Sequence, residues 1–326
     1  MAIEWRPKAD MATLRERARL LASVRAFFAA RDVMEVETPV LGQGGSTDVH
    51  LVSLATQART DKGQRRLWLQ TSPEFHMKRL LAAGSGPIFQ LARSFRDGEV
   101  GSRHNIEFTM LEWYRPGFTL AELIDETTAL VATLIPSPAR QVVTYRYREL
   151  FHTHLAMDPF TLSLEKLRGL AAERGQMAAG ALDKESRDTC LDLLMSMVIE
   201  PTLGRGELSV VMDYPASQAA LARRHQDSDG EWVASRFELY LEGVELANGY
   251  HELTDAVEQR ARFEQDNLER RRLGLVEVDI DERLLAALEF GMPEGAGVAL
   301  GIDRLIQQAL GKARLEDVLA FATPDC

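Results

Sequence analysis

The sequence predicts an α+β fold in which an antiparallel sheet is flanked by helices. Two observations point to it. Strand-like runs recur at 67–70, 88–96, 106–114, 208–213 and 237–246, and blocks of helical periodicity separate them. The runs 88–96 and 106–114 are joined by a polar loop, 97–105, and together read as a long antiparallel hairpin.

The elements follow in order. Leu14, Ala18, Leu21, Val24 and Phe28 fall at helical spacing, which predicts an amphipathic helix over 14–31. Residues 34–41 (MEVETPVL) read as one strand, held to an edge or interface by Pro39. After a loop with Gly42, Gly44 and Gly45 comes the short strand 67–70. Ser72 and Pro73 then suit the N-cap and first position of a helix that ends at Gly84. Residues 119–200 look mainly helical, and we read them as an insert in a single domain spanning 1–326. A charged helix at 256–273 stops at Gly274, and a Gly-rich strand feeds a last helix from about Ile302.

Composition sets outer bounds. The 326 residues are 45% hydrophobic and 27% charged, the range of a globular chain. Against 49 Asp+Glu stand 38 Lys+Arg, a net charge of −11. That disfavours broad nucleic-acid binding, which needs a basic footprint, but it permits a local basic pocket. Two distant cysteines, Cys190 and Cys326, supply neither a disulfide framework nor a metal cluster and suit a reducing cytoplasm. The N-terminus lacks an apolar signal core, and no apolar stretch approaches the roughly 20 residues of a membrane helix.

Three segments carry residues suited to chemistry. In the hairpin, a period of two puts Phe108, Glu112 and Tyr114 on one strand face, beside Arg96, Arg103 and His104, which could clamp a polyphosphate. The alternative is an ordinary solvated hairpin loop. In 237–253, Glu238, Glu245, Asn248 and Glu252 interrupt apolar sequence; carboxylates there could hold Mg²⁺ together with substrate phosphates, or could simply face solvent. In 295–304 (GAGVALGIDR), small residues allow close backbone approach to a ligand before Arg304, although packing explains them equally. Neither a dinucleotide fingerprint nor a Walker lysine loop is present. The histidines form no metal-like array, and Ser217 lacks a paired base in sequence.

Taken in order, these segments resemble the catalytic core of class II aminoacyl-tRNA synthetases. The first helix with VETPVL resembles motif 1, SFRDGEVGSRHNIEFTMLEWY motif 2, and GVALGIDR motif 3; TSPEFHMKRLL and GVELANGYHELTDA are similar to the lysyl branch. The resemblance implies ATP as co-substrate, Mg²⁺, and a homodimer through motif 1. Residue by residue it implies that Arg96 and Arg304 are catalytic. Asp97, Gly98, Arg103, His104, Asn105, Phe108, Glu245, Leu246 and Gly301 would join them around the nucleotide. Ser72, Glu74, Glu112, Tyr114, Asn248, Glu252 and Ala299 would receive the amino acid, and Glu238 and Glu245 the metal.

Departures narrow the expectation. Motif 1 begins near Leu14, which leaves no room before it for an anticodon-binding domain and makes tRNA an unlikely acceptor. Such truncated chains resemble the branch that joins a lysyl or (R)-β-lysyl group to a lysine side chain of elongation factor P. Ser72 and Ala299 stand where lysyl-tRNA synthetases usually carry Ala and Gly, a change of pocket shape that suits an amino group displaced by one carbon. Gly98, followed by Glu99, stands where motif 2 usually has glutamate, and Ile106 replaces a common Pro. The basic segment Arg59–Arg66 could steer an acidic acceptor or be a solvated hairpin tip. A minimal lysyl-tRNA synthetase or a ligase for another carrier, and a non-catalytic ATP or amino-acid sensor, are the competing readings.

Overall fold

In the computed structural model, which describes residues 5–61, 63–135, 141–178 and 180–323, the Asp10 side chain accepts a hydrogen bond from Thr13 N at 2.7 Å and starts helix α1 (Met11–Ala29). The helix begins a turn before the apolar spacing does, because its cap rather than its first buried residue sets the boundary. There follow β1 (Met34–Glu35), β2 (Leu41–Gly42), β3 (Ala55–Thr60), β4 (Gly63–Leu69), α2 (Glu74–Ala82), β5 (Ile88–Phe95), β6 (Glu107–Pro116) and α3 (Leu120–Leu134). Next come β7 (Val142–Arg146), α4 (Tyr147–Leu155), α5 (Leu164–Arg174), α6 (Arg187–Leu194), β8 (Leu208–Pro215), β9 (Arg224–Gln226), β10 (Trp232–Leu241) and β11 (Val244–His251). The chain closes with α7 (Ala256–Arg272), α8 (Glu282–Gly291), β12 (Gly295–Gly301) and α9 (Ile302–Ala309).

Two compact units result, one from described residues up to 135 and from 252 to 323, the other from 141 to 251. Residues 119–200 are shared between them: α3 lies in the first, β7 and α4 to α6 in the second.

The first unit carries strands in the order β1-β5-β6-β12, antiparallel except for β1 with β5. A separate antiparallel sheet runs β2-β4-β3. The strand expected over 34–41 is thus two short pieces that join different sheets. Pro39, which has no N–H to donate, lies in the extended link between them. Phe28 of α1 stacks on Phe89 of β5 with centroids 4.5 Å apart and meets Trp113 of β6 edge-on at 5.3 Å. This aromatic contact fixes the first helix against the hairpin.

The second unit orders its strands β11-β10-β8-β7, with β9 also paired to β10 and only β7–β8 parallel. Tyr147 and Phe151 of α4, Leu191 of α6, and Val211, Tyr214 and Tyr240 of the sheet share its core. The run 237–246 is not a single strand. Glu242 (φ 51°) and Gly243 (φ 69°) both take left-handed backbone, making a two-residue hairpin turn between β10 and β11. A Glu-Gly turn lacks the Asn or Asp that usually marks this turn in sequence.

Candidate functional site

Residues on β6 build one face of the site. Phe108, Glu112 and Tyr114 alternate along the strand, and Phe108 lies under the Arg96 guanidinium, whose Cζ is 5.1 Å from the ring centroid. Arg96 also pairs with Glu99 at 3.5 Å, while its Nε is buried with no hydrogen-bond partner among the described residues. A buried donor without an acceptor is costly in a folded protein, so a ligand oxygen is its natural complement. Gly98 has φ 77°, a left-handed turn that disfavours the glutamate the resemblance leads us to expect there. Glu99 holds the carboxylate next to Arg96 instead.

The loop after β5 meets α9. Arg304 Nη2 lies 2.7 Å from His104 Nε2, and Arg304 Nε donates to the Arg103 carbonyl at 3.3 Å. Partial burial, then the Arg304, Arg96 and Arg103 charges, push His104 below its ordinary value. His104 therefore stays neutral and accepts from Arg304. Asn105 anchors this loop: its side-chain NH₂ donates to Glu107 O at 2.6 Å and its Oδ1 accepts from Thr323 N at 2.9 Å. Asp97 is exposed.

Beneath this face runs a buried polar network that sequence reasoning missed. Asp303, 2% exposed, accepts from Arg17 Nη2 of α1 at 2.5 Å and from Thr109 N of β6 at 2.7 Å. Asp303 and Thr109 are the chain neighbours of Arg304 and Phe108. One carboxylate thus joins the helix of motif 1, the strand of motif 2 and the helix of motif 3.

The other end of β6 carries a buried cluster of ionisable side chains. Tyr114 donates to Glu112 Oε1 at 2.5 Å. Lys78 of α2, 1% exposed, has its Nζ 2.6 Å from both Glu74 Oε1 and Glu252 Oε2. Across the ladder, Ala299 faces Glu112 and Gly297 faces Tyr114. Ser72 Oγ accepts from Glu74 N at 3.3 Å at the start of α2, whose first residue is Glu74, not Pro73.

Burial, with Glu74 close by, pushes Glu112 up to about 8, although its Tyr114 bond opposes this; burial likewise raises Glu252 to about 7 against the pull of Lys78. Both groups take protons more readily folded than unfolded. The stability they contribute is therefore fully present below their ordinary value of 4.5 and is lost as pH rises through about 7 and about 8.

Gly297 was singled out by sequence only as one of several small residues. A Cβ there would lie 2.3 Å from the Tyr114 ring and 2.5 Å from Glu252 Oε1. Gly297→Ala is expected to destabilise the protein by about 1–3 kcal/mol, because the added methyl must push the Tyr114 ring and the Glu252 carboxylate aside. Thermal melts of the variant beside the wild type check this.

In the second unit, Arg236 organises the group read from 237–253. Its Nε donates to Asn248 Oδ1 at 3.1 Å, its Nη1 to Gln218 O at 2.9 Å, and its Nη2 to Glu238 Oε1. Burial opposes its charge, but the facing Glu238 outweighs this and raises its pKa. Glu238 Oε2 accepts from Tyr214 at 2.5 Å and from Tyr240. Arg236 could have been found from strand alternation, since Arg236, Glu238 and Tyr240 share a face. Glu245 is half-buried on β11 and Leu246 is buried.

No group of three or more His, Cys, Asp or Glu able to hold a metal occurs among the described residues. Ser217 donates to Asp188 at 2.8 Å. No described helix is long and apolar enough to cross a membrane. Cys190 is buried, and Cys326 lies outside the described residues.

Comparison with known proteins gives two findings. A family model described as tRNA synthetases class II (D, K and N) matches residues 2–324. The chain is similar to the elongation factor P–(R)-β-lysine ligase of Haemophilus influenzae (strain PittGG), 48% identical over 320 residues that cover 98% of this chain and 97% of that protein. It is also similar to the protein of that name from Pseudoalteromonas translucida (strain TAC 125), 52% identical over 322 residues, with 97% of each covered.

Proposed function

The chain belongs to the class II tRNA synthetases of the D, K and N type, and on that premise we propose that it is an ATP-dependent ligase which activates (R)-β-lysine or lysine as an aminoacyl adenylate and passes the acyl group to a lysine side chain of elongation factor P. One observation carries the reading: a single face of β6 bears Phe108 under Arg96 at one end and Glu112 with Tyr114 in the amine pocket at the other. Four residues of strand span about 13 Å, room for a ribose, a phosphate and an amino-acid chain between purine and amine. The relatives' name, elongation factor P–(R)-β-lysine ligase, supports the donor and acceptor.

The chemistry joins two anions, so charge neutralisation and orientation supply the rate. The amino-acid carboxylate attacks the α-phosphorus of ATP and pyrophosphate leaves. Arg96 binds the carboxylate and α-phosphate oxygens, where negative charge grows in the transition state. Phe108 and Arg304 receive the adenine by stacking and cation–π attraction. Arg103 and His104 face the polyphosphate. Gly98 and Gly301 allow close backbone approach to the nucleotide, and Asp97 lies at the loop's rim. The Asn248 amide, its oxygen held by Arg236, is left to donate its N–H groups to the substrate carboxylate. The acceptor lysine, as a neutral amine, then attacks the adenylate carbonyl and AMP leaves; no protein nucleophile is needed.

Mg²⁺ fits this site only as an ion shared with ATP, since one or two carboxylates plus phosphates is its usual setting. Glu245 suits that role. Glu238 is largely committed to Arg236, Tyr214 and Tyr240, and offers at most its Oε1. The ion would offset phosphate charge.

We propose a single catalytic domain spanning residues 1–326 and a homodimer through the motif 1 segment. The exposed Arg59, Arg65 and Arg66 on β3 and β4 are proposed to steer the acceptor. Reversing Arg65 and Arg66 to Glu is expected to slow transfer to elongation factor P about 10-fold and spare adenylate formation. Unchanged transfer at low salt would remove that surface from the proposal.

The decisive experiment pairs two assays. Pyrophosphate–ATP exchange dependent on lysine or (R)-β-lysine tests activation. The mass gained by elongation factor P, set beside charging of tRNA, identifies the acceptor. Exchange without any modified protein would overturn the ligase reading.

A further inference from the structure

The amine pocket contains more charge than its substrate contacts require. Glu74, Glu112 and Glu252 converge there with one ammonium, Lys78, all within the first unit. Three carboxylates against one cation leave a formal deficit of two. Lys78 is aimed at Glu74 and Glu252, not at Glu112. Glu112 Oε2 is buried and has no hydrogen-bond partner among the described residues. The remaining groups facing Glu112 are Tyr114 on its own strand, which donates to Oε1, neutral Gln90 opposite it on β5 and Ala299 opposite it on β12.

Building on the function proposed above, we propose that Lys78 is a positioning residue, an internal ammonium that holds Glu74 and Glu252 and leaves Glu112 for the incoming amine, so that the pocket is balanced only by a dicationic amino acid. A Lys side chain locked between two carboxylates cannot be displaced by the ligand, so the ligand must displace protons instead. Before binding, burial keeps protons on Glu112 and Glu252. A dication favours their ionised forms, and binding therefore releases protons to solvent. The sign follows: apparent affinity rises with pH through about 7 and about 8, as those carboxylates lose protons unaided.

Lys78 sets the position of that window. Without it, Glu112 and Glu252 lose the nearby cation that favours their charged forms, hold protons more tightly, and the window moves to higher pH. A lysine serving only to pack α2 would change affinity or thermal stability and leave the window in place.

Titration calorimetry of the full-length protein with lysine and with (R)-β-lysine, in buffers of different ionisation enthalpy, reads both quantities. The wild type is expected to release about one proton at pH 7.5 and to bind at least about 100-fold more tightly at pH 8 than at pH 6. Lys78→Met is expected to bind at least about 10-fold more weakly at pH 7.5 and to shift the pH of half-maximal affinity upward by about one unit. Glu112→Gln, which keeps the side chain's shape, is expected to lower the proton release to below half the wild-type value, and it decides the matter if Lys78→Met does not fold. Binding without proton release, proton release unchanged in Glu112→Gln, or a Lys78→Met window that does not move would each overturn the proposal. Failure of both amino acids to bind the wild type would overturn the functional reading itself.

Discussion

Arg96→Ala is expected to lower kcat for amino-acid-dependent pyrophosphate–ATP exchange by about 100- to 1,000-fold, the effect of removing one charge-stabilising donor from a transition state. The side chain is held for this role. It lies over Phe108, it has Glu99 beside it, and its Nε is buried with no hydrogen-bond partner among the described residues. Little of the fold depends on the guanidinium, so the variant should melt close to the wild type. Arg96→Lys should recover only part of the loss, because an ammonium cannot bridge two oxygens in the plane a guanidinium provides. Exchange within about 3-fold of wild type in Arg96→Ala would show that charge develops elsewhere.

Asp303→Ala should have the largest effect on stability and a marked effect on ATP use. It removes the buried partner of Arg17, whose side chain is 12% exposed, and strips the Thr109 N–H of its acceptor. Breaking a buried pair in this way costs about 3–5 kcal/mol. Phe108 and Arg304 flank the two points released, so KM for ATP should rise by about 10-fold or more, while KM for the amino acid changes less. Arg17→Met removes the charge from the other side and leaves the Asp303–Thr109 bond in place. Its effect on KM for ATP should therefore be smaller than that of Asp303→Ala. Thermal melts and ATP-dependent kinetics on both variants check the pair; equal KM values for ATP in wild type and Asp303→Ala would dismiss the link.

Legibility of the fold followed the range of the forces involved. The 88–96 and 106–114 hairpin was readable because alternation and a polar loop are local patterns, and β5 pairs with β6 as expected. The β10–β11 hairpin was not, because its turn residue Glu242 adopts left-handed backbone that its side chain does not advertise. The parallel pairings of β1 with β5 and β7 with β8 also escaped notice, since partners that lie far apart in sequence leave no local pattern. Within the site, Phe108, Glu112 and Tyr114 could be placed on one face from spacing alone. Lys78 could not be placed, because on sequence it is one more basic residue of a surface-like helix.

The sequence by itself determined which residue types face together along each strand and helix, and the order of motifs that marks the family. Those properties repeat every two or every 3.6 residues and need no knowledge of distant chain. Only the tertiary structure decided which distant charges meet. Arg17 and Asp303 are 286 residues apart, and Lys78 reaches Glu252 across a contact that is also long-range in sequence. Burial then gave these groups their chemistry, since a carboxylate is a surface charge in water and a proton-holding acid in the pocket beside Lys78.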